Sequence, residues 1–184
     1  NPTDSDGNNT YIVSIFVLDS SGLSDIQTLT VTVTNVNEAP EITSNSSISF
    51  AENNTSSVTT VTSSDTDAGD TDAYSISGTD VDDFSIDSGS GVLRFLSTPD
   101  FENATDSDGN NTYIVTVTVT DGGSLTGTQT IYVSVTNVNE TPWITSNSSI
   151  SFAENNTSLV TTITSADQDA DDTPAYSISG EDAS

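Results

Sequence analysis

The sequence predicts an all-β protein, a tandem array of antiparallel Greek-key β-sandwiches with about seven strands in each repeat. Three observations carry this. Apolar residues alternate with period two, the chain repeats itself at an offset of 102 residues, and no stretch has helical spacing.

The repeat sets the organisation. "SDGNNTYIV" begins at 5 and again at 107, "TNVNEAP" at 34–40 returns as "TNVNETP" at 136–142, and "ITSNSSISFAENNTS" at 42–56 returns at 144–158. Residues 1–82 and 103–184 are identical at 57 of 82 aligned positions. One whole repeat therefore spans 39–140, preceded at 1–38 by the C-terminal part of a repeat and followed at 141–184 by the N-terminal part of the next. A period of 102 is too long for a solenoid unit and suits a string of small domains. Each end piece lacks the equivalent of 83–102, which is expected of a section of a longer chain. The competing expectation is that half-domains complete one another between subunits.

Within the whole repeat the strands come in order. "SISF", "SVTTVT", "AYSIS", "FSID" and "VLRFL" are short β-branched and aromatic runs. "TYIVTVTVTD" at 112–121 sets Tyr113, Val115, Val117 and Val119 on one face, and "TQTIYVSVTNV" at 128–138 does the same with Ile131, Val133 and Val135. The Gly-rich "DGGSLTG" between them is a turn. Tyr74, Phe84, Phe95 and Phe101 fall in strand-like runs and are expected in the core.

Charge narrows function. The chain has 28 acidic residues, one Arg, and no Lys, His or Cys, for a net charge of −27. No basic patch exists to meet nucleic acid, and an anionic membrane surface is disfavoured for the same reason. Without His, Cys or Lys there is no catalytic triad, thiolate, Schiff base or His-ligated zinc, and no carboxylate pair stands out for glycoside hydrolysis. An enzyme is not expected. No apolar run reaches the roughly 18 residues of a membrane span. So much negative charge opposes compaction unless cations offset it, which makes a divalent metal the first partner to consider.

The acids stand at fixed places in the repeat, mostly at strand ends and turns. They are Glu52 in "SFAENN", Asp65 and Asp67 in "SDTDAGD", Asp100 and Glu102 in "PDFEN", Asp121 in "VTDGG", and Glu140 with Asn137 and Asn139 in "TNVNETP". Oxygen ligands of this kind suit Ca²⁺. The ordered set "AEN", "DTD", "DFEN", "TDGG" and "NVNEAP" resembles the cadherin repeat along the whole chain, and the "VNEAP" wording with the lean composition resembles bacterial cadherin-like repeats. The resemblance implies a cadherin/Ig-like sandwich of seven strands, strung end to end, with Ca²⁺ stiffening each junction.

Carried onto this sequence, the resemblance assigns the junction near 141 to Glu52, Asp100, Glu102, Asn137, Asn139 and Glu140, with Asp167 and Asp169 from the next repeat. The junction near 39 keeps Asn35, Asn37, Glu38, Asp65, Asp67 and Asp121, and Asp19 is the counterpart of Asp121 further upstream. The family linker is usually Asp-x-Asn-Asp-Asn-x-Pro, whereas here it is Asn-x-Asn-Glu-x-Pro. Fewer charges weaken calcium binding, so one or two ions per junction are expected rather than three.

Two further signals are read more plainly. "DSDGNN" at 106–111 begins like a calcium loop, but an EF-hand needs a Glu six residues after the Gly, and Val115 stands there. A tight acidic turn is expected, with an extra ion on Asp106 and Asp108 as the alternative. Trp143 is expected to pack at the junction rather than act in strand-swap adhesion. The expected function is a calcium-stiffened extracellular segment of a surface adhesin, stalk or fibre. Its partners would be Ca²⁺, neighbouring repeats and other copies in a fibre or in homophilic adhesion. The alternatives are a calcium-dependent carbohydrate-binding module with a glycan partner, and a filament subunit assembled by half-domain complementation.

Overall fold

A computed structural model describes residues 4, 7–67, 69 and 71–182. It divides into two compact units, Asn1–Glu38 and Ala39–Ser184. Ser5 and Asp6 of the first "DSDGNN" lie outside the described residues.

The first unit is one hairpin. β1 (Thr10–Leu18) and β2 (Ser24–Thr32) pair antiparallel from Thr10↔Thr32 to Leu18↔Ser24. Asp19 closes the turn, its Oδ1 accepting the N–H groups of Ser21 at 2.8 Å and Leu23 at 2.9 Å. A two-stranded ribbon has no opposing layer, so Val13, Ile15, Val17 and Leu29 stay exposed in this unit.

The second unit holds the sandwich. Its strands are β3 (Glu41–Ile42), β4 (Ser47–Ala51), β5 (Thr59–Thr60), β6 (Ser63–Ser64), β7 (Ala73–Ser77), β8 (Phe84–Ile86), β9 (Val92–Phe95), β10 (Thr112–Thr120) and β11 (Thr126–Thr136). β3 with β4, and β5 with β6, are each one run that breaks to change partners, so the nine segments amount to the seven expected runs. One layer is ordered β4–β11–β10–β7 and the other β5–β9–β8, with β3 on β6. Pairing is antiparallel except for β4, which runs parallel to β11. The first run starts on β6, where the Thr43 N–H donates to the Thr62 carbonyl at 2.8 Å, and then crosses to β11, where Tyr132 N–H reaches the Ser46 carbonyl at 2.8 Å. That crossing covers the β11 edge, which would otherwise present unpaired backbone groups.

Period-two alternation decides the core. Tyr113, Val115, Val117 and Val119 of β10 and Ile131, Val133 and Val135 of β11 are buried, while the intervening positions are only partly covered or exposed. Facing them are Leu93, Phe84, Val58 and Val61 from the other layer, with Phe95 and Phe101 packed at the margin. Phe95 lies between Phe84 (ring centroids 4.5 Å apart) and Tyr113 (5.0 Å, edge-on). The Tyr113 hydroxyl accepts the Thr105 N–H at 3.1 Å, so the buried ring keeps its polar end satisfied. Tyr74, Phe84, Phe95 and Phe101 thus belong to the core, as their strand-like settings suggested.

Residues 141–182 repeat the start of this pattern. β12 (Trp143–Ile144) pairs with β13 (Ser165–Ala166) as β3 pairs with β6. Phe152 is 42% exposed where its counterpart Phe50 is 5% exposed, because 141–182 contains no counterpart of β10 and β11. Trp143 is half exposed.

Arg94 on β9 is the only Lys or Arg in the chain and so the only tryptic site. Leu93→Ala next to it empties a fully buried position and should cost about 2–5 kcal/mol. Gly91→Ala is expected to destabilise as well: φ is +68°, and a Cβ would sit 2.4 Å from the Val61 carbonyl oxygen. Trypsin cleavage at Arg94 should speed up in both variants in step with the loss of stability measured by denaturant.

Candidate metal centre

Glu52 organises one end of the sandwich. It follows β4 and is 2% exposed, and its carboxylate is held on both sides by backbone: Oε1 accepts Val138 N–H and Oε2 accepts Phe101 N–H, each at 2.7 Å. Its own N–H donates to the Thr136 carbonyl at 3.1 Å. Asn53 takes φ +59° and donates its N–H to the Pro99 carbonyl at 3.0 Å. One buried acid therefore ties together the end of β4, the "PDFEN" loop and the segment leaving β11.

Carboxylates converge as a result. Oxygens of Glu52, Asp100 and Glu102 lie within 4.8 Å of one another, as do those of Glu102, Glu140 and Asp169, and those of Asp167, Asp169 and Asp172. Glu102 and Asp169 are each shared by two groups, so the acids form one continuous series from Glu52 to Asp172. Asn137 Nδ2 donates to Glu102 Oε1 at 2.7 Å and to Asp169 Oδ1 at 2.8 Å. Glu140 N–H donates to Asp169 Oδ2 at 2.7 Å, and Asp169 N–H to Asp167 Oδ1 at 3.1 Å. Asn139 donates to the Glu140 carbonyl at 2.9 Å and lines, with Glu102, Asn137, Asp169 and Asp172, an open cleft of about 750 Å³. Of the residues expected at 141, Glu52, Asp100, Glu102, Glu140, Asp167 and Asp169 fall in the close groups, Asn137 bridges two of them, and Asn139 lies beside them.

Burial, hydrogen bonds and neighbouring charge set the electrostatics together. Partial burial, with Glu52 and Asp169 nearby, pushes the Glu102 carboxyl above its ordinary range. Burial likewise raises Glu140, with Glu52, Asp169 and Glu102 adding to it. Asp169 is lowered, chiefly by the Glu140 N–H and then by the Asn137 amide. The atoms of the close groups are carboxylate oxygens throughout, which suits a hard cation such as Ca²⁺. Glu140 Oε2 is buried and has no hydrogen-bond partner, an arrangement that a cation would satisfy and that costs free energy without one.

The residues expected at the upstream junction divide between the units. Asn35, Asn37 and Glu38 end the first, where Asn37 donates to the Glu38 carbonyl at 3.3 Å, much as Asn139 does to Glu140. Asp65, Asp67 and Asp121 lie in the second. Asp65 Oδ1 accepts Asp67 N–H at 2.8 Å, and Asp65 Oδ2 is buried without a hydrogen-bond partner. Asp121 is 5% exposed and accepts Leu125 N–H at 2.8 Å, closing the β10–β11 turn. Among the described residues, none of these three is in a close carboxylate group.

"DSDGNN" is a backbone-capping turn. Asp106 is buried and accepts the N–H groups of Asn110 at 2.9 Å and Asn111 at 3.2 Å, while Gly109 and Asn111 take positive φ. Asp108 accepts the Asn110 amide at 2.8 Å. Sequence reasoning missed Asp80, a buried acid that accepts Ser107 N–H at 2.9 Å and Ile114 N–H at 2.6 Å and so anchors this turn to β10. It also missed Asn53, whose amide donates to Glu140 Oε1, and Asp172. The run "DQDADD" could have drawn attention to Asp172, but Asn53 has no sequence signal beyond its place after Glu52.

The acidic end of the two-layer β-sandwich thus draws in Asp167, Asp169 and Asp172 from the second copy of the sequence motif. Residues 46–136 match the family model for the cadherin domain. The fold is similar to that of a protocadherin gammaB7 EC3-6 cis-dimer structure, at 24% identity and TM-score 0.60, with 90% of this chain and 45% of that one covered. It is similar as well to mouse cadherin-23 EC22-24, at 24% identity and TM-score 0.55 over 75% and 45% of the two chains. Drosophila N-cadherin EC1-4 is similar at 14% identity and TM-score 0.58, over 88% and 42%. The chain spans less than half the length of each of these. No curated protein matches it.

The acid series gives a pH prediction for protein in chelator. Glu102 and Glu140 are raised in the folded chain, so their unfavourable contribution is fully present above that raised range and is relieved as pH falls through it. Asp169 is lowered, so its contribution is lost only as pH falls through its lowered range. Melting temperature in chelator should first rise on mild acidification from neutral and then fall. A steady fall from neutral downward would contradict the account.

Proposed function

We propose that the chain is a section of a calcium-stiffened extracellular array, of the bacterial cadherin-like kind, serving as part of a surface adhesin, stalk or fibre. The repeats would be 1–38, 39–140 and 141–184, with Ca²⁺ at the junctions. The observation that carries this reading is the series Glu52, Asp100, Glu102, Glu140, Asp169 and Asp167, which draws oxygens from two successive repeats and leaves Glu140 Oε2 buried without a partner. A bound cation supplies the positive charge that lets these carboxylates stay close. Glu52 sets the floor of the site through its backbone bonds, Asp100 and Glu102 come from one repeat, Asp167 and Asp169 from the next, and Asn137, Asn139 and Glu140 join them. Asn35, Asn37, Glu38, Asp65, Asp67 and Asp121 are proposed for the same role one junction upstream. The partners on this reading are neighbouring repeats and other copies in the assembly.

Titration calorimetry tests it. The 184-residue chain should bind Ca²⁺ with a dissociation constant of about 10⁻⁴–10⁻³ M, the range of extracellular modules. Asp100→Asn with Glu102→Gln should weaken the site at 141 at least tenfold while 39–140 remains folded, because neither side chain lies in the core. Unchanged calcium binding in the double variant would overturn the assignment.

A further inference from the structure

Asn137 does something the corresponding Asp of the usual linker cannot. A carboxylate only accepts hydrogen bonds, whereas an amide nitrogen has two hydrogens to donate. Both donate here, at 2.7 Å to Glu102 Oε1 and at 2.8 Å to Asp169 Oδ1. Glu102 belongs to the whole repeat and Asp169 to the next, so the amide spans the two. Glu140 N–H takes the other Asp169 oxygen at 2.7 Å, leaving that carboxylate held on both sides. Facing two acceptors, the amide has one satisfactory orientation, with nitrogen toward them.

We propose that Asn137 is a cation-independent clasp: its amide bridges Glu102 and Asp169, preserving order at the junction when no metal is bound, and brings no charge of its own to the site. Two consequences follow. The junction should be less dependent on calcium than one with Asp in this place, and its affinity should be correspondingly lower. Only the second consequence rests on the calcium reading above; the first concerns metal-free protein.

The test uses the full chain with single cysteines introduced at exposed Thr128 and Ser158 for spin labels, in a background that has no native Cys. Distances across the junction are measured by pulsed electron resonance in chelator for the parent, Asn137→Asp and Asn137→Ala. Both variants should broaden the distribution in chelator, Asn137→Asp the more because it adds a charge. Calorimetry should show Asn137→Asp binding Ca²⁺ roughly threefold to tenfold more tightly, since ligand charge tunes such sites, with Asn137→Ala no tighter than the parent. Trypsin cleavage at Arg94 serves as the folding control. Distributions in chelator that match the parent in both variants would overturn the clasp. An Asn137→Asp site no tighter than the parent would overturn the lower calcium affinity assigned to Asn137. A parent that binds no Ca²⁺ would defeat the calcium reading, and the chelator comparison would still decide the clasp.

Discussion

The structure depends on one constraint: many carboxylates meet at the end of a sandwich in a chain with a single positive side chain. Internal ion pairing cannot resolve this. What the protein supplies instead is backbone N–H groups and side-chain amides. Glu52 is held by Val138 and Phe101, Asp169 by Glu140 and Asn137, and Glu140 by Asn53. Hydrogen bonds to charged acceptors are among the stronger ones available, and they fix the geometry. They do not neutralise the charge: burial first, and the neighbouring carboxylates after it, raise the Glu102 and Glu140 carboxyls. On the reading proposed above, a divalent cation would offset it.

The same acidic residue types do two different jobs, distinguished by what their oxygens face. Asp80, Asp106 and Asp121 are buried against nearby backbone N–H groups and shape turns. Glu102, Glu140 and Asp169 face other carboxylates. The first kind stabilises the sandwich by itself; the second gathers like charge at one end of it, next to the stretch 167–172.

Much of this was legible in the sequence. Period-two alternation identified the buried faces of β10 and β11 because a strand in a two-layer sandwich has one wet side and one dry side, and the 102-residue offset marks residues 141–158 as a second copy of 39–56. The expected junction acids near 141 do converge, since "AEN", "DFEN" and "NVNE" all sit at strand ends on the same side. What the sequence hid was directional. The parallel pairing of β4 with β11 comes from a break at 43–46 that composition does not mark. Asn53 and Asp80 act through a positive φ and a long-range backbone contact, neither of which spacing reveals. Replacement of Asp by Asn in the linker reads in sequence as a lost ligand, and in three dimensions as a gained donor.

Small-angle scattering of the 184-residue chain, titrated with Ca²⁺ and then returned to chelator, tests the central claim most directly. The account predicts a narrower, stiffer particle in calcium, with reversible loosening and a lower melting temperature in chelator. A chain with the same scattering profile and the same heat stability in both conditions would contradict it.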